Sequence, residues 1–101
     1  MQQHTINLIY NAANDTVISQ RDPGSVQIGD TVVFQSNAGP VHVKLDPKDV
    51  FSAPGFHTGM DPLEVRKLSK FQYWCGVEIA GKHIGWPQNE NFGHSDDFTQ
   101  P

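Results

Sequence analysis

Two stretches of this chain alternate with a period of two. Val41 to Leu45 reads V-H-V-K-L and Lys70 to Cys75 reads K-F-Q-Y-W-C. Apolar residues at every second position fit a half-buried strand and not a helix. On that reading Val41, Val43 and Leu45 share one face, with His42 pointing the opposite way. Phe71, Tyr73 and Cys75 likewise share a face, leaving Gln72 and Trp74 on the other.

The rest of the chain reads the same way. Thr5 to Tyr10 is rich in strand formers, Asn11 to Asp15 is turn chemistry, and Thr16 to Ser19 is a short strand. Arg21-Asp-Pro-Gly24 is a turn, and Ser25 to Gln35 reads as two β runs hinged at Gly29-Asp30. Asp46 to Pro62 has no period and is expected as an irregular excursion, with at most one helical turn near Pro47 to Val50. Leu63 to Leu68 resumes strand character. Many short strands with closely spaced turns predict an all-β chain, a Greek-key β-sandwich. A length of 101 residues is that of one domain. Its boundary is expected at residues 1–87, with 88–101 (Q-N-E-N-F-G-H-S-D-D-F-T-Q-P) as a polar extension, either packed through Phe92 and Phe98 or partly disordered.

Composition excludes several functions. A formal charge of −4 and only seven dispersed Lys and Arg residues argue against nucleic acid as a partner and favour a basic protein partner. No stretch is long and apolar enough to span a bilayer. Met1 to His4 has neither a basic start nor an apolar run, so the expectation is a mature form lacking its export signal, or a cytosolic protein.

The single cysteine cannot form an internal disulfide; it is a buried thiol, a reactive thiol or a ligand. Cys75 follows an alternating aromatic strand, with His42 far upstream and His83 just downstream. That layout suits a mononuclear thiolate–imidazole metal site, and the metal it points to is copper. A hydrolase using Cys75 with a His is set aside, because no third orienting residue and no oxyanion signature can be picked out. The chain is therefore not read as an enzyme.

Val26 to Asp46, containing N-A-G-P-V-H, resembles the segment of the small blue copper proteins of the plastocyanin and pseudoazurin group that carries their first copper-ligand His. F-Q-Y-W-C resembles the Y-x-F-x-C strand that delivers their Cys ligand, and the resemblance runs over residues 16 to 86. It implies a cupredoxin fold with copper at one end, an extracytoplasmic or periplasmic location, electron transport and a redox partner protein. The family follows its Cys with C-x-x-H and then a Met. At that spacing this chain has Cys75, Glu78 in place of the His, and His83 in place of the Met.

The resemblance thus implies one copper ion, cycling between Cu(I) and Cu(II), held by His42, Cys75, His83 and Glu78. Stronger and harder donors in place of the weak thioether favour Cu(II), lower the potential and give a red or green site instead of a blue one. Pro40, Ile79, Ile84 and Trp86 are the candidate docking patch, and Trp74 lies on a possible route to partners. His57 and Met60 fall in the irregular excursion, and His94 with Asp96 and Asp97 in the polar tail.

A second register is open. With Val77 to Ile84 as the closing strand, the ligand loop disappears. The chain then keeps the sandwich, binds no copper or binds it incompletely through His42 and Cys75, and acts as a metal-free or zinc-binding interaction module.

Overall fold

The computed structural model describes residues 2–88 and 92–99. Among the described residues, nine strands and no helix make two sheets. The first sheet contains β1 (Gln3–Asn11), β2 (Thr16–Arg21), β3 (Thr31–Ser36) and β6 (Leu63–Glu64), in the order β2-β1-β3-β6. The hairpin β1–β2 is antiparallel, while β3 runs parallel to β1. The second sheet has the order β5-β4-β7-β8, from β4 (Val41–Asp46), β5 (Gly55–His57), β7 (Lys70–Ile79) and β8 (Lys82–Gly85). A ninth strand, β9 (Gly93–Asp97), also pairs with β7.

The alternation read from the sequence sets which side chains enter the core. Ile6, Leu8, Val32 and Phe34 point inward from the first sheet; Val41, Val43, Leu45, Phe71, Tyr73, Cys75 and Val77 do so from the second. Aromatic edges lock the layers together, with Phe34 and Tyr73 centroids 5.4 Å apart. At the far end Phe51, Phe71 and Phe98 form a cluster with centroid separations of 5.1, 4.7 and 5.7 Å. Such edge-to-face pairs add about 0.5–1.5 kcal/mol each beyond the area they bury.

Several segments differ from expectation. Val26 to Gly29 is not a strand: Val26 plugs the core, Gly29 turns the chain at φ 95°, and only Thr31–Ser36 joins the sheet. The excursion after Asp46 holds no helical turn. Instead Val50 and Phe51 are buried, and Gly55–His57 pairs with β4. Leu63 to Leu68 shrinks to two paired residues plus a bridge from Phe51 to Val65.

The expected division at residue 87 cuts through the sandwich. Residues 93–97 fill the lower half of the β7 edge, opposite Lys70 to Trp74, and Phe98 is a core residue. The polar composition misled here because β9 buries little of itself and is anchored by backbone pairing, by Phe98, and by an Arg21–Asp96 ion pair of 2.7 Å. Residues 89–91, 100 and 101 of that segment lie outside the described residues.

One buried polar cluster fastens β1 to the turn before β3. His4 is 2 % exposed, and its ring bridges two carboxylates, Asp30 Oδ2 at 2.9 Å and Asp22 Oδ1 at 3.3 Å. Asp30 also accepts hydrogen bonds from the Gln2 and Gln27 amides, and Asp22 accepts one from Thr5. The His4 contact first, then the two amides, hold the Asp30 carboxyl down from 3.8 to about 2. A carboxyl whose pKa falls on folding stabilises the fold above its unfolded value, and that contribution disappears as pH drops through the folded value. The expected outcome is a melting temperature that falls between about pH 4 and pH 2. Asp30→Asn should be less stable than the parent protein at neutral pH and should lose much of this acid limb, as thermal melts across pH will show.

Candidate metal-binding face

The register of β4 against β7 decides what the candidate ligands can do. Val43 lies opposite Cys75 and His42 opposite Gly76. Directly paired residues project to the same side of a sheet. Cys75 therefore enters the core with Val43, while His42 projects from the outer face beside Gly76.

Beyond Cys75 the strand does not open into a loop. β7 continues to Ile79, reverses at Ala80-Gly81, where both residues have positive φ (49° and 80°), and returns as β8. A two-residue turn with two left-handed positions is the usual connection for such a hairpin. Glu78 and His83 become cross-strand partners on the outer face, two residues along from Gly76. Val77 to Ile84 is therefore neither an open ligand loop nor the single closing strand of the second register: it is a hairpin, split between the end of β7 and β8.

On that face Glu78 Oε1 is 2.5 Å from His83 Nδ1 and 4.0 Å from His42 Nε2. The two imidazole centroids are 5.8 Å apart. The His83 Nε2–H donates to the Trp86 carbonyl. Burial alone would lower the His83 pKa. The Glu78 hydrogen bond, the Trp86 carbonyl and the Glu78 charge together outweigh it, so the pKa lies above the ordinary imidazole value. Gly76 makes the arrangement possible: a Cβ there would stand 2.5 Å from His83 Nε2 and 2.8 Å from Cε1. The ring occupies the space a side chain would fill.

Cys75 is placed differently. It has no exposed surface, and its Sγ lies 3.8 Å from the Phe92 carbonyl oxygen. Burial pushes the thiol up to about 12, far from the thiolate form that binds metal. The structure thus brings together His42, Glu78 and His83 and leaves Cys75 on the other side of the sheet. In this register the four residues do not fit around a single copper ion. Among the described residues no three or more His, Cys, Asp or Glu side chains make a ready-formed metal shell.

The remaining candidates are scattered. His57 is exposed, pairs in register with His42, and has its Nδ1 3.1 Å from the Thr58 carbonyl oxygen. Met60 is half-buried against the core. His94 faces Tyr73 with centroids 5.5 Å apart, its Nε2 is buried without a partner, and burial lowers its pKa. Asp96 is taken by Arg21 and so does not assemble with His94. Trp74 is on the outer face under Lys44, whose Nζ is 5.3 Å from the ring. Of the expected docking patch, Pro40 is exposed, whereas Ile79, Ile84 and Trp86 are half-buried. The His4–Asp22–Asp30 cluster was not read from the sequence, although its signal was present: His4 has the same parity as Ile6 and Leu8 in the first strand.

A thiol with this burial reacts only when the strand opens. In native protein at pH 8, Cys75 should alkylate with iodoacetamide orders of magnitude more slowly than in denaturant, because both access and thiolate fraction are suppressed. Equal rates in the two conditions would place the thiol at the surface. Comparison with known proteins adds no family to this geometry: no protein-family model, no curated protein and no solved structure matches the chain.

Proposed function

We propose that this chain is a cupredoxin-like Greek-key sandwich that works as a binding module through the outer face of its second sheet, and not as a thiolate-copper electron carrier. The single observation behind this is the division of the candidate ligands between two faces of β7, with Cys75 in the core and His42, Glu78 and His83 outside. The cupredoxin part draws support from the strand orders β2-β1-β3-β6 and β5-β4-β7-β8, from the parallel β1–β3 pair, and from N-A-G-P-V-H and F-Q-Y-W-C.

Electron transfer by a thiolate copper site needs a metal held close to a thiolate and reachable by a partner. Here the thiol is enclosed, and the loop that would wrap a metal is a two-residue turn. The outer face instead offers two imidazoles beside a carboxylate at His42, Glu78 and His83 and, further along the same strands, the Lys44 ammonium over the Trp74 indole, on a chain of net charge −4. Such a face suits a ligand held by polar and coordinate contacts, and a basic partner suits the charge.

The competing reading is copper on all four residues, His42, Cys75, His83 and Glu78. One observation favours it: three of the four already converge. Copper titration separates the two readings. With one equivalent of Cu(II), the expected outcome is no intense thiolate-to-copper absorption in the visible. A strong band that vanishes in Cys75→Ser would overturn the proposal and restore the electron carrier.

A further inference from the structure

Two imidazoles on the outer face lie beside the same carboxylate oxygen, with their ring centroids 5.8 Å apart. The Glu78 Oε1 distances are 2.5 Å to His83 Nδ1 and 4.0 Å to His42 Nε2. Donors in a tetrahedral shell with metal–ligand bonds of about 2.0–2.1 Å stand about 3.3 Å from one another. One observed separation is a hydrogen bond, too short for a shared ion; the other is a loose ion pair, too long. Each differs from the required spacing by less than about 1 Å, which side-chain rotation supplies without moving a strand. The trio is not a ready-formed shell for this reason, and a cation seated among the three would correct both distances at once.

The framework around the trio is already set. Backbone pairing fixes Glu78 opposite His83 and His42 opposite Gly76. The absent side chain at Gly76 lets the His83 ring lie across β7. The Trp86 carbonyl takes the Nε2–H of His83, leaving Nδ1 as the nitrogen that meets Glu78. Metal-bound imidazoles are commonly oriented by such a second hydrogen bond to a carbonyl. The side chains of His42, Glu78 and His83 are 47, 38 and 14 % exposed, so the cluster opens to solvent on one side.

We infer that His42, Glu78 and His83 form a thiolate-free site for one divalent transition-metal ion, with a coordination position left open to solvent. Two nitrogens and one oxygen select zinc or copper over calcium or magnesium, which take oxygen shells. The inference gives the proposed binding face a ligand class and makes no use of Cys75. The alternative chelator on the same face is the cross-strand pair His42 and His57.

The test is a Zn(II) titration of the chelator-treated full chain, followed by calorimetry and by the imidazole resonances in NMR. One ion per chain is expected, with shifts at His42 and His83 and none at His4 or His94. Glu78→Gln and His83→Gln should each weaken binding at least about tenfold, since loss of even an outer partner of a metal ligand costs 10–100-fold. His57→Asn and Cys75→Ala should leave the affinity unchanged. Circular dichroism of each variant separates a lost ligand from a lost fold, and Glu78→Gln, at a solvent-facing position, retains the shape of the side chain. Absence of saturable binding by the parent protein overturns the inference. So does an affinity that follows His57 while ignoring Glu78 and His83, or one that depends on Cys75; the last would also revive the thiolate copper reading.

Discussion

The register between β4 and β7 is the constraint on which the rest depends. It seats Val41, Val43 and Leu45 against Phe71, Tyr73, Cys75 and Val77 on the core side. A shift of either strand by one residue would turn its whole apolar set toward water. For β7 that set is Phe71, Tyr73, Cys75 and Val77, and burial of each large apolar side chain is worth about 1.5–3 kcal/mol. The sum approaches the entire 5–15 kcal/mol by which a domain of this size is stable. A slip of register that brought Cys75 and His42 to the same face would therefore cost most of that stability.

The same edge of β7 carries two strands in succession. β8 covers Gly76 to Ile79 and β9 covers Lys70 to Trp74, while Cys75 itself bonds through its amide to Phe92 and through its carbonyl to Trp86. The chain thus leaves and rejoins the sheet next to the cysteine, closing the thiol in from the side. The hairpin on the upper half then lifts Glu78 and His83 to the outer face, where His42 already lies. Packing, turn chemistry and the absence of a side chain at Gly76 together relocate the polar chemistry from the inside of the sandwich to its surface.

Much of this was legible in the sequence. The alternation V-H-V-K-L and K-F-Q-Y-W-C assigns both strands and even the faces: His42 against Val41, Val43 and Leu45, and Cys75 with Phe71 and Tyr73. Followed strictly, that parity already separates the imidazole from the thiol. What strand alternation does not provide is the partner register, which depends on long-range pairing and on the Ala80-Gly81 turn, so ligand spacing along the chain was a weaker guide than strand parity. The polar β9 was illegible for a related reason. Its place is earned by backbone pairing, by Phe98 and by a salt bridge to Arg21, 75 residues earlier in the chain, none of which leaves a periodic trace. His4 was missed because an imidazole on an inward face declares itself only once Asp22 and Asp30 have folded against it.

The most direct measurement is the set of cross-strand nuclear Overhauser contacts in the segment from Cys75 to Gly85. The account predicts contacts pairing Glu78 with His83 and Val77 with Ile84, and contacts from the Cys75 β protons to core side chains such as Val43. A segment without cross-strand contacts, with the Cys75 β protons instead close to the His42 ring, would contradict it.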